Sequence, residues 1–325
     1  MEDSTPQIRC GGLANLGATC YINTAIQCLN HCPYVWDFLK TYKSPPDSLF
    51  HEYQVILNDM SENSVIPRRF IKSIRQFVKG LEVHQQNDIH EFIMLFLDSL
   101  NRGISHSITI TKDEIYKAGN YKDSELEKLR FRMDWEWYQQ HGREYSPLVA
   151  MFHGQSITQI ICGDCQHVHH TYQSYNELEL PINDHTDTLE DCLKQFFQSE
   201  TLSEWTCDQC NKIAQSEKVN VLWRTPDVLM IAFKRFTGDL RKNEKPIKIP
   251  LELSLKKHTV GTNKRTYSLM SAAFHTGDIS SGHYFALCKY NNSWAVYDDL
   301  NIHRLDENVR PCFEKAYMLF YCVNS

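Results

Sequence analysis

Between residues 88 and 102 the apolar positions Ile89, Phe92, Ile93, Phe96, Leu97 and Leu100 recur at i, i+3, i+4 and i+7, the period of one helix face. Asp88 and Glu91 supply an N-terminal capping box and Gly103 a stop signal. Residues 20–32 place Ile22, Ile26 and Leu29 on one face with Ala25 beside them, and Pro33 ends the run. A third helix is predicted over 124–140, capped by Ser124 and Glu127, with Leu126, Leu129, Met133 and Trp137 as its stripe. The surrounding segment, 112–145, is dense in charge of both signs, which predicts a solvated helical face. After residue 150 the texture changes to strands: Ser156–Ile161, Thr171–Leu180, Val219–Trp223, Val228–Phe236 and, last, Ala316–Val323. Tyr284–Tyr290 and Ser293–Tyr297 form a predicted hairpin around Asn291 and Asn292. Lys-rich stretches at Asp239–Lys248 and Lys256–Lys264 read as surface turns. The sum is an α+β chain, helical first and β-rich afterwards, with no repeat, low-complexity stretch or obvious linker.

Composition narrows the class. At 325 residues, 42% hydrophobic and 23% charged, the chain can bury a large core without staples. Lys and Arg number 34 against 40 Asp and Glu, a net charge of −6 without a dense basic run, which excludes a general nucleic-acid binder. The polar N-terminus, Met1 to Arg9, lacks a signal-peptide core. The most apolar window, Phe92–Leu97, is far shorter than the ~20 residues of a membrane helix. A reducing compartment, cytosol or nucleus, is expected, so the twelve cysteines read as thiols, metal ligands or nucleophiles.

Four of them form two CxxC pairs, Cys162-Gly163-Asp164-Cys165 and Cys207-Asp208-Gln209-Cys210, 41 residues apart. Each suits a tight turn whose backbone N–H groups face the sulfurs. Two such turns brought together give four thiolates for a closed structural zinc site, clipping the ends of a β-rich projection. A mixed site using His167, His169 and His170 beside Cys162 and Cys165, and unmetallated thiols, are the alternatives.

The reactive chemistry lies in three places far apart in sequence. Cys20 follows the turn Asn15-Leu16-Gly17-Ala18-Thr19 at a helix start, where unpaired N–H groups and the helix dipole favour a thiolate. The same N–H groups, with the Asn15 amide, suit an oxyanion. Alone, such a cysteine is more often a packed core residue. His283 lies in Ser280-Ser281-Gly282-His283-Tyr284, entering a strand, and Gly282 permits close backbone approach by a substrate. A lone histidine is more often structural than catalytic. Asp298 and Asp299 leave the next strand. With Asn291-Asn292 as the turn, His283 opposes Leu300 and Asp298 opposes Phe285, so His283 and Asp298 are diagonal neighbours on one face, roughly 7–8 Å apart at Cα. That is the His–Asp half of a nucleophilic triad. A one-residue bulge would make Asp299 the partner instead.

Together these residues form a resemblance. Gly12-Leu13-Ala14-Asn15-Leu16-Gly17-Ala18-Thr19-Cys20-Tyr21-Ile22-Asn23, with Gln27-Cys28-Leu29, resembles the cysteine box of the ubiquitin-specific proteases. Ser281-Gly282-His283-Tyr284, then Trp294 and Tyr297-Asp298-Asp299, resembles that family's histidine box. Gln86-Asn87-Asp88-Ile89-His90-Glu91-Phe92, the paired CxxC turns, Leu189–Leu193 and Leu229–Phe236 match in order, so the likeness runs from about Gly11 to Val323. It implies a papain-like cysteine protease with a helical thumb (about 11–150), zinc-clipped β fingers (about 155–180 and 200–225) and a β-rich palm (about 181–199 and 226–324). Together these make one catalytic domain over 11–324 behind a short tail, 1–10.

The resemblance implies that Cys20 is the nucleophile and His283 the base. Asp298 orients the imidazole, Asn15 supports the oxyanion, and Asp299 is a secondary candidate. Asp88, Gly282 and Tyr284 would meet the substrate, Asp88 through ubiquitin's basic tail. Cys162, Cys165, Cys207 and Cys210 would hold zinc. The reaction implied is hydrolysis of the bond after ubiquitin's terminal glycine through an acyl-enzyme. Partners would be ubiquitin and its conjugates, with no nucleic acid or membrane, and the protein is expected to be a monomer. Ala18, Asn87 and Ile89 depart from the family pattern without touching the triad, and 104–147 matches no motif. The termini leave no room for a further domain, which implies a bare catalytic domain. A silent ubiquitin-binding module, a protease for another ubiquitin-like tail, and a zinc-clipped scaffold are the other classes.

Overall fold

The computed structural model describes residues 10–324 apart from 84, 237–240, 262–264, 279–280, 291–292 and 307. The tail 1–9, Ser280, the Asn291-Asn292 turn and parts of both Lys-rich turns therefore lie outside the described residues.

Eight helices come first: α1 (Cys20–Asn30), α2 (Pro33–Thr41), α3 (Leu49–Glu62), α4 (Arg68–Phe77), α5 (Ile89–Ile104), α6 (Lys112–Gly119), α7 (Glu125–His141) and α8 (Pro147–Phe152). α1 is buried on all sides, so its polar residues need internal partners. The Asn23 amide donates to Leu13 O at 3.1 Å, Gln27 Nε2 to Gly11 O at 2.8 Å, and the Tyr53 hydroxyl to Asn30 Oδ1 at 2.8 Å. His31 lies between Gln27 O and the Tyr297 hydroxyl, and burial pushes its imidazole down to about 4. Pro33 ends α1 as expected but also occupies the first turn of α2, where its missing N–H costs nothing.

α5 runs through Gly103 to Ile104, so that glycine is not the stop. Its periodic face is fully committed: Ile89, Phe92, Ile93, Phe96 and Leu100 are buried, each worth roughly 1.5–3 kcal/mol of transfer free energy. α7 forms over the predicted span, but its stripe differs from the one expected. Met133 is buried while Leu126 is 56% exposed, because the helix lies on the rim of a small cluster with Ile157 and Trp223.

The strands form two sheets. The small one has the order β2-β1-β5-β4, from β1 (Gly154–Ile161), β2 (Val168–Tyr175), β4 (Glu200–Thr206) and β5 (Ile213–Arg224). The large one runs β11-β10-β9-β8-β12-β6-β3, with β3 (Glu177–Leu180), β6 (Val228–Phe233), β8 (Thr266–Gly277), β9 (Gly282–Tyr290), β10 (Ser293–Asp298), β11 (Asn301–Arg304) and β12 (Met318–Val323), and β7 (Glu252–Ser254) on β8. The single strand expected over Thr171–Leu180 is two. The chain breaks at Asn176, and β3 leaves the small sheet to pair in parallel with β6. Residues 177–180 thus belong with the large sheet rather than with the projection.

One core packs α1–α5 against one face of the large sheet, and a second packs α9 (Leu189–Phe196) with Ile247, Leu253 and Leu255 on the other. The segment expected as a surface turn near Lys248 is anchored. The buried Arg235 guanidinium donates to the carbonyls of Asn243, Lys245, Glu314 and Ala316 at 2.7–3.0 Å.

Candidate active site

The turn before α1 is tied by one side chain. Asn15 Oδ1 accepts the N–H groups of Gly17 and Thr19, both at 3.1 Å, and Thr19 Oγ1 accepts from Leu16 N at 2.9 Å. This leaves Cys20 as the first residue of α1. The Cys20 thiol is buried, which pushes it above its ordinary 9.0. The backbone N–H groups of Tyr284, Tyr21 and Cys20 pull it back, and the Asp299 carboxylate pushes it up. Three N–H groups around one sulfur are the donors that an anion formed there needs.

The hairpin register is the one derived from the sequence: Trp294 pairs with Lys289 and Tyr297 with Ala286. His283 and Asp298 are accordingly brought together, with Nε2 and Oδ1 2.5 Å apart. That contact commits Nε2 and leaves Nδ1 as the ring nitrogen free to exchange a proton.

Asp299 sits within the same cluster, its carboxylate, that of Asp298 and the imidazole all within 4.8 Å, but it does a different job. It turns the chain at φ 51°. Its Oδ1 accepts from Asn23 Nδ2 at 2.8 Å, Oδ2 from Asn15 Nδ2 at 3.0 Å, and its carbonyl from Leu13 N at 2.9 Å. One N–H of the Asn15 amide is therefore committed to Asp299. Asn23 was not singled out in the sequence, although its place three residues after Cys20 in a buried helix was the available signal.

The residues expected to meet substrate form the wall on the other side of His283. Asp88 Oδ1 caps α5 by accepting from His90 N at 2.7 Å, and its other oxygen accepts from the Tyr317 hydroxyl. Tyr284 is buried, with its ring against His275 and Tyr317 at centroid separations of 4.6 and 6.1 Å. Its backbone N–H, not its ring, faces Cys20. The structure also gives Gly282 a further reason. A Cβ there would lie 2.0 Å from His275 Nε2, and Gln86 grips the Gly282 backbone by donating to its carbonyl at 3.2 Å and accepting its N–H at 3.1 Å. Gln86 and Tyr317 are site residues that the sequence reading did not assign.

The four CxxC cysteines lie together at one end of the small sheet. Cys162 and Cys210 sulfurs are 3.9 Å apart, and Cys165 and Cys207 sulfurs 3.7 Å, close to the ~3.8 Å edge of a tetrahedron with 2.3 Å zinc–sulfur bonds. The two turns are copies of each other. Cys162 N donates to His167 O and Gln166 N to Cys162 O; Cys207 N donates to Lys212 O and Asn211 N to Cys207 O. Gln166 and Asn211 both adopt positive φ. The Cys165 backbone N–H pulls the Cys162 thiol down to about 7. His169 lies beside Asp208 at 3.3 Å and His170 beside Gln159 at 3.0 Å, and neither belongs to the group of four sulfurs.

This arrangement has relatives. The family profile described as "Ubiquitin carboxyl-terminal hydrolase" matches residues 11–321. The Drosophila melanogaster "Ubiquitin carboxyl-terminal hydrolase Usp2" is 28% identical over 331 residues, covering 95% of this chain and 34% of that protein. The Schizosaccharomyces pombe "Probable ubiquitin carboxyl-terminal hydrolase 4" is 26% identical over 350 residues, covering 95% and 58%. The chain thus spans between a third and three fifths of the length of these two relatives. Among solved structures, a SAGA DUB module of Ubp8, Sgf11, Sus1 and Sgf73 bound to monoubiquitin superposes with a TM-score of 0.74 at 22% identity, over 100% of this chain and 72% of that one. The shared fold is the mixed helix-and-sheet one expected. The chain belongs to the ubiquitin carboxyl-terminal hydrolase family.

Proposed function

We propose that residues 11–324 form one catalytic unit that hydrolyses the bond after the C-terminal glycine of ubiquitin, with Cys20, His283 and Asp298 as its triad. The observation that carries this reading is the 2.5 Å contact between His283 Nε2 and Asp298 Oδ1, next to a thiol that faces the Tyr284 N–H at the start of α1.

His283 Nδ1 takes the Cys20 proton as the sulfur attacks the glycine carbonyl carbon. Charge on the carbonyl oxygen is met by N–H groups at the start of α1 and by the second N–H of Asn15. The imidazolium, held by Asp298, then protonates the leaving amine. The resulting thioester is hydrolysed by water that gives its proton to His283. Because burial raises the free thiol, the imidazole acts as a general base on a neutral thiol. Asp88 and the backbone of Gly282 and Tyr284 line the tail's approach.

For the four cysteines, the sulfur spacing supports a structural zinc ion held by Cys162, Cys165, Cys207 and Cys210. Bound there, zinc would cross-link the two turns and has no part in the chemistry. We place the protein in a reducing compartment, cytosol or nucleus, where free thiols and a thiolate cluster persist. We read the protein as a monomer acting on ubiquitin conjugates, a partner supported by the relatives' names and the ubiquitin-bound neighbour. Among the described residues no helix is long and apolar enough to cross a membrane.

Ubiquitin bearing a C-terminal fluorophore tests the activity, and elemental analysis of protein purified without chelator tests the metal. Release of the fluorophore and about one zinc per chain are expected; their absence would contradict the respective readings.

A further inference from the structure

His283 lies near the start of β9, beyond the outermost β9–β10 pair, Ala286 with Tyr297. Its strand partner is Thr276, near the end of β8, flanked by the pairs Gly277–Gly282 and His275–Tyr284. The Thr276 hydroxyl adds a bond to His283 O at 3.3 Å. The aim of the imidazole therefore depends on what holds the end of β8.

That end has outrun its own neighbour. On the far edge of β8, β12 begins at Met318, opposite Ala273, and Tyr317 N donates to Ala273 O at 2.8 Å. Among the described residues no strand pairs with β8 beyond this point on that edge. Carbonyls two residues apart along a strand face the same edge, so His275 O and Gly277 O point to where β12 is missing. One side chain takes both. Lys242 Nζ donates to His275 O at 2.7 Å and to Gly277 O at 3.3 Å, and Glu244 Oε1 lies 2.8 Å from it. Three acceptors thus match the three N–H donors of the ammonium. The Lys242 side chain is only 10% exposed, unlike a solvated surface lysine. Its backbone is anchored as well. Lys242 bridges to Phe236, and Asn243 N donates to the carbonyl of the buried Arg235 at 2.6 Å. Glu244 is held in turn by Lys315 at 3.4 Å.

We propose that Lys242 is a positioning residue for His283. Its ammonium stands in for the strand that β8 lacks. Through the Thr276–His283 and His275–Tyr284 pairs it fixes the imidazole and the Tyr284 N–H that faces Cys20. Gln86 grips Gly282 from the helical side, and Lys242 holds the same strand ends from the sheet side. The proposal rests on the hydrolase reading above and adds to it a residue that touches neither substrate nor the reacting atoms.

Lys242→Met keeps the length of the side chain and removes its charge and donors. On ubiquitin bearing a C-terminal fluorophore it is expected to lower kcat by about 10- to 100-fold, the scale of a small misplacement of a reacting group, with the larger share of the loss in kcat rather than KM. Amide exchange should quicken at Gly282, His283 and Tyr284 and stay native in β1 and β5. Lys242→Arg keeps a charged donor and should recover most of the lost rate. Glu244→Gln frees one of the three contacts and should cost about two- to fivefold. A Lys242→Met kcat within about twofold of wild type would overturn the proposal. So would a loss carried by KM alone, which would make Lys242 a contact for ubiquitin, or a loss of kcat with native exchange at Gly282–Tyr284. If Lys242→Met does not fold, Glu244→Gln decides, and wild-type kcat there would overturn the proposal equally. Failure of wild type itself on this substrate would bring down the hydrolase reading and this inference with it, whereas the other outcomes leave that reading standing.

Discussion

The four sulfurs at the end of the small sheet come from two copies of one local turn, each closed by its own backbone hydrogen bonds. The site around Cys20 is assembled instead from segments near residues 15, 23, 88, 283 and 298, none of which forms it alone. In the first, the ligand-bearing geometry is written within six residues and the fold merely brings two copies together. In the second, local bonds tie the turn before Cys20, but the bonds that bring the parts together cross between elements: Asn15 and Asn23 to Asp299, His283 to Asp298, Gln86 to Gly282. The cluster should therefore respond to metal supply as a unit, while the centre should respond to single side chains by graded amounts.

Removing one ligand should have the largest effect. Cys207→Ser is expected to lose the zinc and, with it, most of the order of the small sheet, since structural zinc is worth roughly 10 kcal/mol or more in small domains. Elemental analysis and amide exchange across β4 and β5 would check this; a variant that keeps native exchange there would show the cluster to be dispensable. Asp298→Ala should lower kcat by roughly 10²- to 10⁴-fold, because it releases the imidazole. Asp299→Ala should cost less, since it loosens Asn15 and Asn23 without touching His283. The reverse order would make Asp299 the orienting carboxylate.

A smaller effect distinguishes Cys20 from a cysteine already ionised. Its thiol is raised above 9.0 by burial, so its thiolate fraction falls about tenfold per pH unit below that point. Site-resolved alkylation of Cys20 by iodoacetamide should climb from pH 6 to beyond 9; a plateau near neutrality would indicate a preformed ion pair. Smallest is the pH dependence of the tie between His90 and Glu177. The Glu177 hydrogen bond raises His90 above 6.5. Its contribution is therefore fully present below about pH 6.5 and fades as pH rises through the raised value. His90→Gln should lower the melting temperature most near pH 6 and progressively less toward pH 9, as followed by thermal denaturation.

What could be read in advance follows the same division. α5 was legible because its apolar period, its Asp88 cap and its burial agree, and the hairpin register followed from two-residue turn arithmetic. The twin turns were legible because their spacing is local. The break at Asn176 was not, since Tyr175 and Glu177 continue one strand texture while the chain changes sheets. The exposed stripe of α7 misled because its periodicity could not say how little of the molecule lies beneath it. Gln86, Asn23 and Tyr317 were missed for a related reason. Each acts through a hydrogen bond to a segment at least 190 residues away in sequence, and nothing in the surrounding pattern points to it.

The most direct test of the account uses ubiquitin carrying an electrophile at its C-terminus, incubated with wild-type protein and with Cys20→Ala. A covalent adduct on wild type, mapped to Cys20 and absent from the variant, is the predicted result. No adduct on wild type, or an adduct that persists in Cys20→Ala, would contradict the assignment of Cys20 as the nucleophile that receives the ubiquitin tail.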